Sequence, residues 1–162
     1  HPNVKSIQII FNIFRQKPSE VFFQEAKKNN VAIIARVPLA SGLLTGKMNN
    51  TSSFPKNDHR NYNINGDAFD VGETFSGVDF SKGLEAVEEL KKIKPEGFSL
   101  TDLSLKWILS HPEVTVVIPG AKNKIQAELN VKASELNEIN SIKDSIKAIY
   151  NKYFKEDIHS NW

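Results

Sequence analysis

The residues of this chain best placed to do chemistry are Gly120, Ala121 and Lys122, two small residues and a cation between an apolar run and a helix start. The run Val114, Val116, Val117, Ile118 is β-branched and short, which predicts a strand buried on both faces. Pro119-Gly120 ends it. Asn123 with Gln126 three residues on has capping-box spacing, so a helix is expected from Lys124 to about Ala133. A tight turn of small residues at a helix N-terminus can hold phosphate. Backbone N–H groups and the positive end of the helix dipole face it, and Lys122 adds a full charge. The same residues also make an ordinary capped strand-to-helix connection, and the turn alone leaves both readings open.

Gln8 is the second candidate, a polar side chain inside the apolar stretch Val4–Phe11. A glutamine there must find a partner, so it faces a polar pocket or lies at the strand's end. Composition removes several other chemistries. The chain has 162 residues, 40% of them hydrophobic, the size of one globular domain with a real core. Its net charge of +2, with lysines interleaved among acids, gives no basic run for nucleic acid. The absence of cysteine excludes disulfides, thiolate metal sites and a cysteine nucleophile, and fits a cytoplasmic protein. His1, His59, His111 and His159 lie far apart with no ligand-pair spacing, so a metal site is not expected. No apolar span is long enough for a membrane helix, and no secretory leader is apparent.

The elements that would position these groups follow in order. Val4–Phe11 reads as a first strand, and Ser19 as the cap of a helix running to Lys28. Val31–Ala35 is a second strand, opening into Arg36-Val37-Pro38-Leu39-Ala40-Ser41-Gly42 and on to Gly46-Lys47, where proline and glycines imply a loop with structure of its own. Met48 to about Phe80 is a long polar segment holding His59 and Arg60, with Phe69, Phe75 and Phe80 available to pin it; loops of that length are functional or mobile. Ser81 is expected to cap a helix carrying Leu84, Val87 and Leu90, and Ser99 another carrying Leu103 and Trp107. After the third strand and its helix, Ile139, Ile142, Ile146, Ile149 and Tyr153 form an amphipathic stripe, before a tail ending in Trp162.

Strand and helix alternate as in a parallel sheet with right-handed crossovers. Three strands alone leave two open edges, and five helical elements cover one face better than two. The beginning at His1-Pro2, without an initiator Met, and the immediate strand suggest the back part of a larger α/β protein.

SIQIIFNIFRQKP, VAIIARVPLASGLLTGK and SLTDLSLKWILSHPEVTVVIPGAKNKIQAELN, in this order, resemble the last three βα units of the aldo-keto reductases. The resemblance spans nearly the whole chain. It implies an α/β fold, a partial (β/α)8 TIM barrel with three parallel strands and covering helices, and a site at the C-terminal ends of the strands. It implies NADP as cofactor and a small-molecule carbonyl as substrate. Gln8 would meet the nicotinamide carboxamide. Arg36 occupies a position where many members stack an aromatic ring, which a planar guanidinium can imitate, or it forms a salt bridge at the barrel mouth. Pro38, Leu39, Ala40, Ser41, Gly42 and Lys47 match the loop around the pyrophosphate. Arg60 is similar to a phosphate-clasping residue of the same loop, or is a solvated arginine.

Gly120, Ala121, Lys122, Gln126 and Asn130 match the segment for adenosine and the 2′-phosphate, with Gln126 and Asn130 one helical turn apart on a shared face. Gln126 stands where some members carry an arginine, and Leu129 where some carry a glutamate, so Lys122 is the remaining cation there. The family's catalytic Asp, Tyr, Lys and His belong to earlier strands. No residue here takes those roles, Tyr62, Tyr150 and His111 included, so the missing N-terminal part of the barrel is an implied partner. The competing expectation is a non-catalytic reductase-like subunit or nucleotide-sensing module.

Overall fold

A computed structural model describes residues 3–161. His1, Pro2 and Trp162, named above as the unusual start and the aromatic end, lie outside the described residues. Three strands, β1 (Ser6–Ile10), β2 (Ala32–Arg36) and β3 (Val114–Val117), form one parallel sheet in the order β1-β2-β3. The helices are α1 (Phe22–Lys28), α2 (His59–Tyr62), α3 (Phe80–Ile93), α4 (Leu100–Leu109), α5 (Lys124–Lys132), α6 (Lys143–Tyr153) and α7 (Lys155–Ile158). Short 3-10 turns punctuate the connections, including Ala40–Thr45 and Val71–Glu73.

Register decides which strand face each residue takes. Ile7 pairs with Ile33 and Ile9 with Ala35, and Ile33 and Ala35 are fully buried beneath the helices. On the opposite face Gln8 pairs with Ile34 and Ile10 with Arg36, while Ile34 pairs with Val116 across an irregularity at Ile33/Ile34. That face is largely open, with Gln8 exposed and Val116 and Ile118 at 42% and 45% exposure. The expectation that the third strand is buried on both faces is therefore corrected: the helices cover one face only.

The covered face carries the core. Phe11 stacks on Trp107 of α4 at 4.9 Å between ring centroids and meets Phe23 of α1 edge-on at 4.6 Å. Ile146, Ile149 and Tyr150 of α6 are buried, so the predicted amphipathic stripe packs as expected, although its helix begins only at Lys143. Each aromatic buried here removes well over 100 Å² from water, the dominant stabilising term in a core of this kind.

Two predicted caps move. Ser19 lies in a 3-10 turn, where its hydroxyl donates to the Gln16 carbonyl, and α1 begins at Phe22 without a side-chain cap. Asp79, not Ser81, caps α3 by accepting from the Lys82 N–H. A carboxylate also complements the helix dipole, which a hydroxyl does not. Ser99 caps α4 as predicted, in a full capping box with Asp102.

Candidate functional site

All three strands end at the same edge of the sheet. Phe11 N–H donates to the Arg36 carbonyl and Ile118 N–H to the Ala35 carbonyl, so the loops after Ile10, Arg36 and Val117 start side by side. Gln8 thus stands in the middle of β1, Arg36 at the end of β2 and the Gly120 turn just past β3, on adjacent parallel strands pointing the same way. Gln8 and Arg36 line one cavity of about 300 Å³, together with Ile9, Ile10, Arg15, Asp70 and Asn161.

Arg36 is held in this cavity by Glu73, whose carboxylate accepts from its Nη1 at 2.5 Å. The pair is about two-thirds buried on each side. Of the two roles left open for Arg36, the salt bridge is formed, and it holds the guanidinium at the cavity wall.

The loop after β2 has a backbone that the sequence only hinted at. Val37 has a positive φ of 53°, and Ala40, Ser41 and Gly42 follow at 46°, 54° and 96°. Such angles cost an alanine or serine about 1–2 kcal/mol each and persist only where neighbours impose them. The neighbour is a second run of left-handed residues, Phe75, Ser76 and Gly77 at 51°, 62° and 73°. Ser41 joins the two: its hydroxyl donates to the Glu73 carbonyl at 3.1 Å and accepts from the Phe75 N–H at 3.0 Å.

Asn12 ties the same two runs to β1. Its Nδ2 donates to the Val37 carbonyl at 2.8 Å and to the Ser76 hydroxyl at 2.7 Å, and its Oδ1 accepts from the Phe14 N–H at 2.9 Å. It is fully buried. Sequence reasoning missed it, although the rule applied to Gln8 applies with more force to a polar residue flanked by Phe11 and Ile13.

Pro38 and Ala40 are buried, Leu39, Ser41 and Gly42 are half-buried, and Lys47 is exposed beyond Gly46. Arg60 approaches this loop near Gly42, yet it is neither solvated nor a free cation. Its Nε and Nη2 donate to both oxygens of Asp58 at 2.9 and 2.6 Å, and its guanidinium lies 4.5 Å from the centre of the Phe54 ring. The bidentate contact holds the Asp58 carboxyl well below the usual range and raises Arg60 further. The long segment is pinned by Phe75 and Phe80, 5.0 Å apart, while Phe69 is 40% exposed.

The Gly120 turn is built differently. Asn123 caps α5 by accepting from the Gln126 N–H at 2.9 Å, but the reciprocal half of the capping box is absent. Gln126 Oε1 accepts from the Lys122 N–H instead, at 2.8 Å, and Asn130 Nδ2 donates to the Gly120 carbonyl at 3.3 Å. Both side chains that were expected to project from the helix close their own turn. Gly120, Ala121 and Lys122 are exposed, and a Cβ on Gly120 would meet nothing within 4 Å.

Fold and site together describe a parallel α/β sheet with its polar groups gathered at the carboxyl ends of the strands. A profile of the aldo/keto reductase family matches residues 2–151, and the chain belongs to that family of oxidoreductases. It is 31% identical over 140 residues, 84% of this chain and 39% of the relative, to the aldo-keto reductase str7 of Strobilurus tenacellus. It is 27% identical over 161 residues, 93% of this chain and 45% of the relative, to the aldo-keto reductase yakc [NADP(+)] of Schizosaccharomyces pombe. Among solved structures, the glycerol dehydrogenase of Gluconobacter oxydans superposes with a TM-score of 0.72 at 28% identity, over 91% of this chain and 42% of that one. The sheet is therefore part of a (β/α)8 barrel, and the chain spans less than half the length of these relatives. Among the described residues no helix is long and apolar enough to cross a membrane.

Proposed function

We propose that this chain is the C-terminal, cofactor-holding portion of an NADP-dependent reductase that converts aldehydes or ketones to alcohols in the cytoplasm. The observation that carries it is the convergence of Gln8, Arg36, the latched loop 37–46 and the Gly120 turn at one edge of a parallel sheet. In this reading Gln8 bonds the nicotinamide carboxamide and the Arg36 guanidinium, immobilised by Glu73, lies against the ring. Pro38, Leu39, Ala40, Ser41, Gly42 and Lys47 surround the pyrophosphate, and Arg60 backs them from the long loop. Gly120, Ala121, Lys122, Gln126 and Asn130 receive the adenosine end.

The residues present fit such a group. Exposed turn residues beside Lys122 offer backbone and charge to a phosphate, and the left-handed run at Ala40–Gly42 is the kind of strained, over-determined backbone found at ligand clamps. When bound, the cofactor supplies the hydride. The chain's own residues orient it and exclude water from one side. Proton donation to the carbonyl oxygen falls to a group on the remaining strands of the barrel, a part of the protein outside this chain.

The test is NADPH oxidation with a panel of reactive aldehydes, by the complete protein and by this chain alone. Turnover on the order of 1 s⁻¹ or more by the complete protein, and none by the chain, supports the reading. A second reading, a non-catalytic nucleotide-binding subunit, is favoured by 31% identity over 133 residues to an Arabidopsis thaliana protein named "Probable voltage-gated potassium channel subunit beta". Tight NADPH binding without turnover by the complete protein would select it.

A further inference from the structure

Arg15 lies in the loop after β1 and lines the cavity that holds Gln8 and Arg36. It is 9% exposed, and its Nε is buried without a hydrogen-bond partner. Its Nη2 donates to the Asn161 carbonyl at 3.0 Å. A guanidinium brings five N–H donors and does not shed its proton in a protein, so a buried one left largely unpaired is costly unless something completes it. The other charges of the cavity do so only partly. Glu73 is engaged by Arg36, and Asp70 turns its Oδ1 to the Gly72 N–H at 2.8 Å. Gly72 packs directly on the Arg15 guanidinium, and a Cβ there would fall within its van der Waals volume. Gly72 thus packs against the cation while the Asn161 carbonyl accepts from it.

We propose that Arg15 is a recognition residue for an anionic group, a carboxylate or a phosphate, on the molecule that enters the cavity beside Gln8 and Arg36. The inference rests on reading that cavity as the nicotinamide end of the site, and it names the substrate class: small carbonyl compounds that carry a negative charge. Strand order assigns the anion to the substrate. The adenosine end lies at β3 and the pyrophosphate loop follows β2, so a cation in the loop after β1 is beyond the nicotinamide, on the side from which a substrate approaches. Asp70, on the same wall, repels an incoming anion and competes with it for Arg15.

The experiment is a titration of the ¹⁵N-labelled chain, following backbone amides and the Arg15 Nε–H, with succinate, inorganic phosphate and, separately, NADPH. Saturable shifts at Arg15 and Gln8 are expected with succinate and with phosphate, and those with succinate should be absent at Lys122. Arg15→Ala should weaken that binding about tenfold or more. Gly72→Ala, which crowds the guanidinium without removing it, should weaken it too, and Asp70→Asn, which keeps the cap and removes the competing charge, should tighten it. Loss of folding in Arg15→Ala leaves Gly72→Ala and Asp70→Asn to decide. No saturable shift at Arg15 with either small anion, or equal shifts at Lys122 with succinate, overturns the proposal. An Arg15 response to NADPH and not to the small anions assigns the cation to the cofactor's pyrophosphate and also overturns it. Lys122 and Gly120 responding to NADPH, whatever Arg15 does, supports the cofactor reading independently.

Discussion

The two ends of the site are held by opposite means. The loop after β2 is fastened by hydrogen bonds between residues distant in sequence: Asn12 to Val37 and Ser76, Ser41 to Glu73 and Phe75, Arg36 to Glu73. The turn after β3 is fastened by its own helix, Gln126 to Lys122 and Asn130 to Gly120, and stands exposed. Long-range bonds, part-buried or buried, fix a backbone that would not adopt its strained angles alone. Local, exposed bonds leave a turn cheap to remodel. On the proposed reading, the first end is built before a ligand arrives and the second changes its contacts when one does.

Asn12→Ala gives the largest expected break in this contrast. It strands the Phe14 N–H in the core, leaves the Val37 carbonyl with the Ala40 N–H alone, and removes the tie between two strained runs, so unfolding in denaturant should show a loss of about 3 kcal/mol. A loss under about 1 kcal/mol would mean that the left-handed runs hold themselves.

Next in size is Lys122→Ala. The 2′-phosphate brings up to two negative charges, and the helix dipole supplies about half a charge. A charge-assisted contact of about 1.5–3 kcal/mol corresponds to one to two decades of NADPH affinity. NADH affinity and chain stability should stay unchanged, and equal weakening of both nucleotides removes Lys122 from the site.

Ser41→Ala leaves the Phe75 N–H without its acceptor and should cost about 1–2 kcal/mol of stability, together with weaker binding of both nucleotides alike. Weakening confined to NADPH would contradict a pyrophosphate role for this loop.

The smallest effect is one of pH. Asp58 is held below its ordinary range chiefly by its side-chain contact with Arg60. A depressed folded-state pKa gives stability that is present above the unfolded carboxylate range, near pH 4, and is lost as pH falls below it. Asp58→Asn should remove about 1 kcal/mol at neutral pH and flatten the acid limb of the stability curve. An unchanged acid limb would show that the Arg60 contact does not persist in solution.

The parallel strands were legible because short β-branched runs alternate with helical stretches, whereas the placing of Gln8, Arg36 and Gly120 at one edge came from the resemblance to the reductases. Burial on both faces was misjudged for β3, since an apolar run says nothing about whether partners for both faces are at hand. The caps at Ser19 and Ser81 were misplaced by one turn or less because serine competes with nearby aspartates and with 3-10 geometry. Asn12 and Glu73 escaped notice for a different reason. Their roles arise from tertiary contacts across dozens of residues, and no local pattern marks a residue whose partner is a distant backbone carbonyl or a distant cation.

The most direct test of a cofactor shelf spanning both ends is the pattern of amide hydrogen exchange in the chain with and without saturating NADPH. Slowed exchange is expected at Ala121–Asn123 and at Leu39–Gly42, with the larger change at the exposed turn, because the latched loop is already protected. Protection confined to the lysine-bearing helices α3 and α6, or none at either loop, would contradict it.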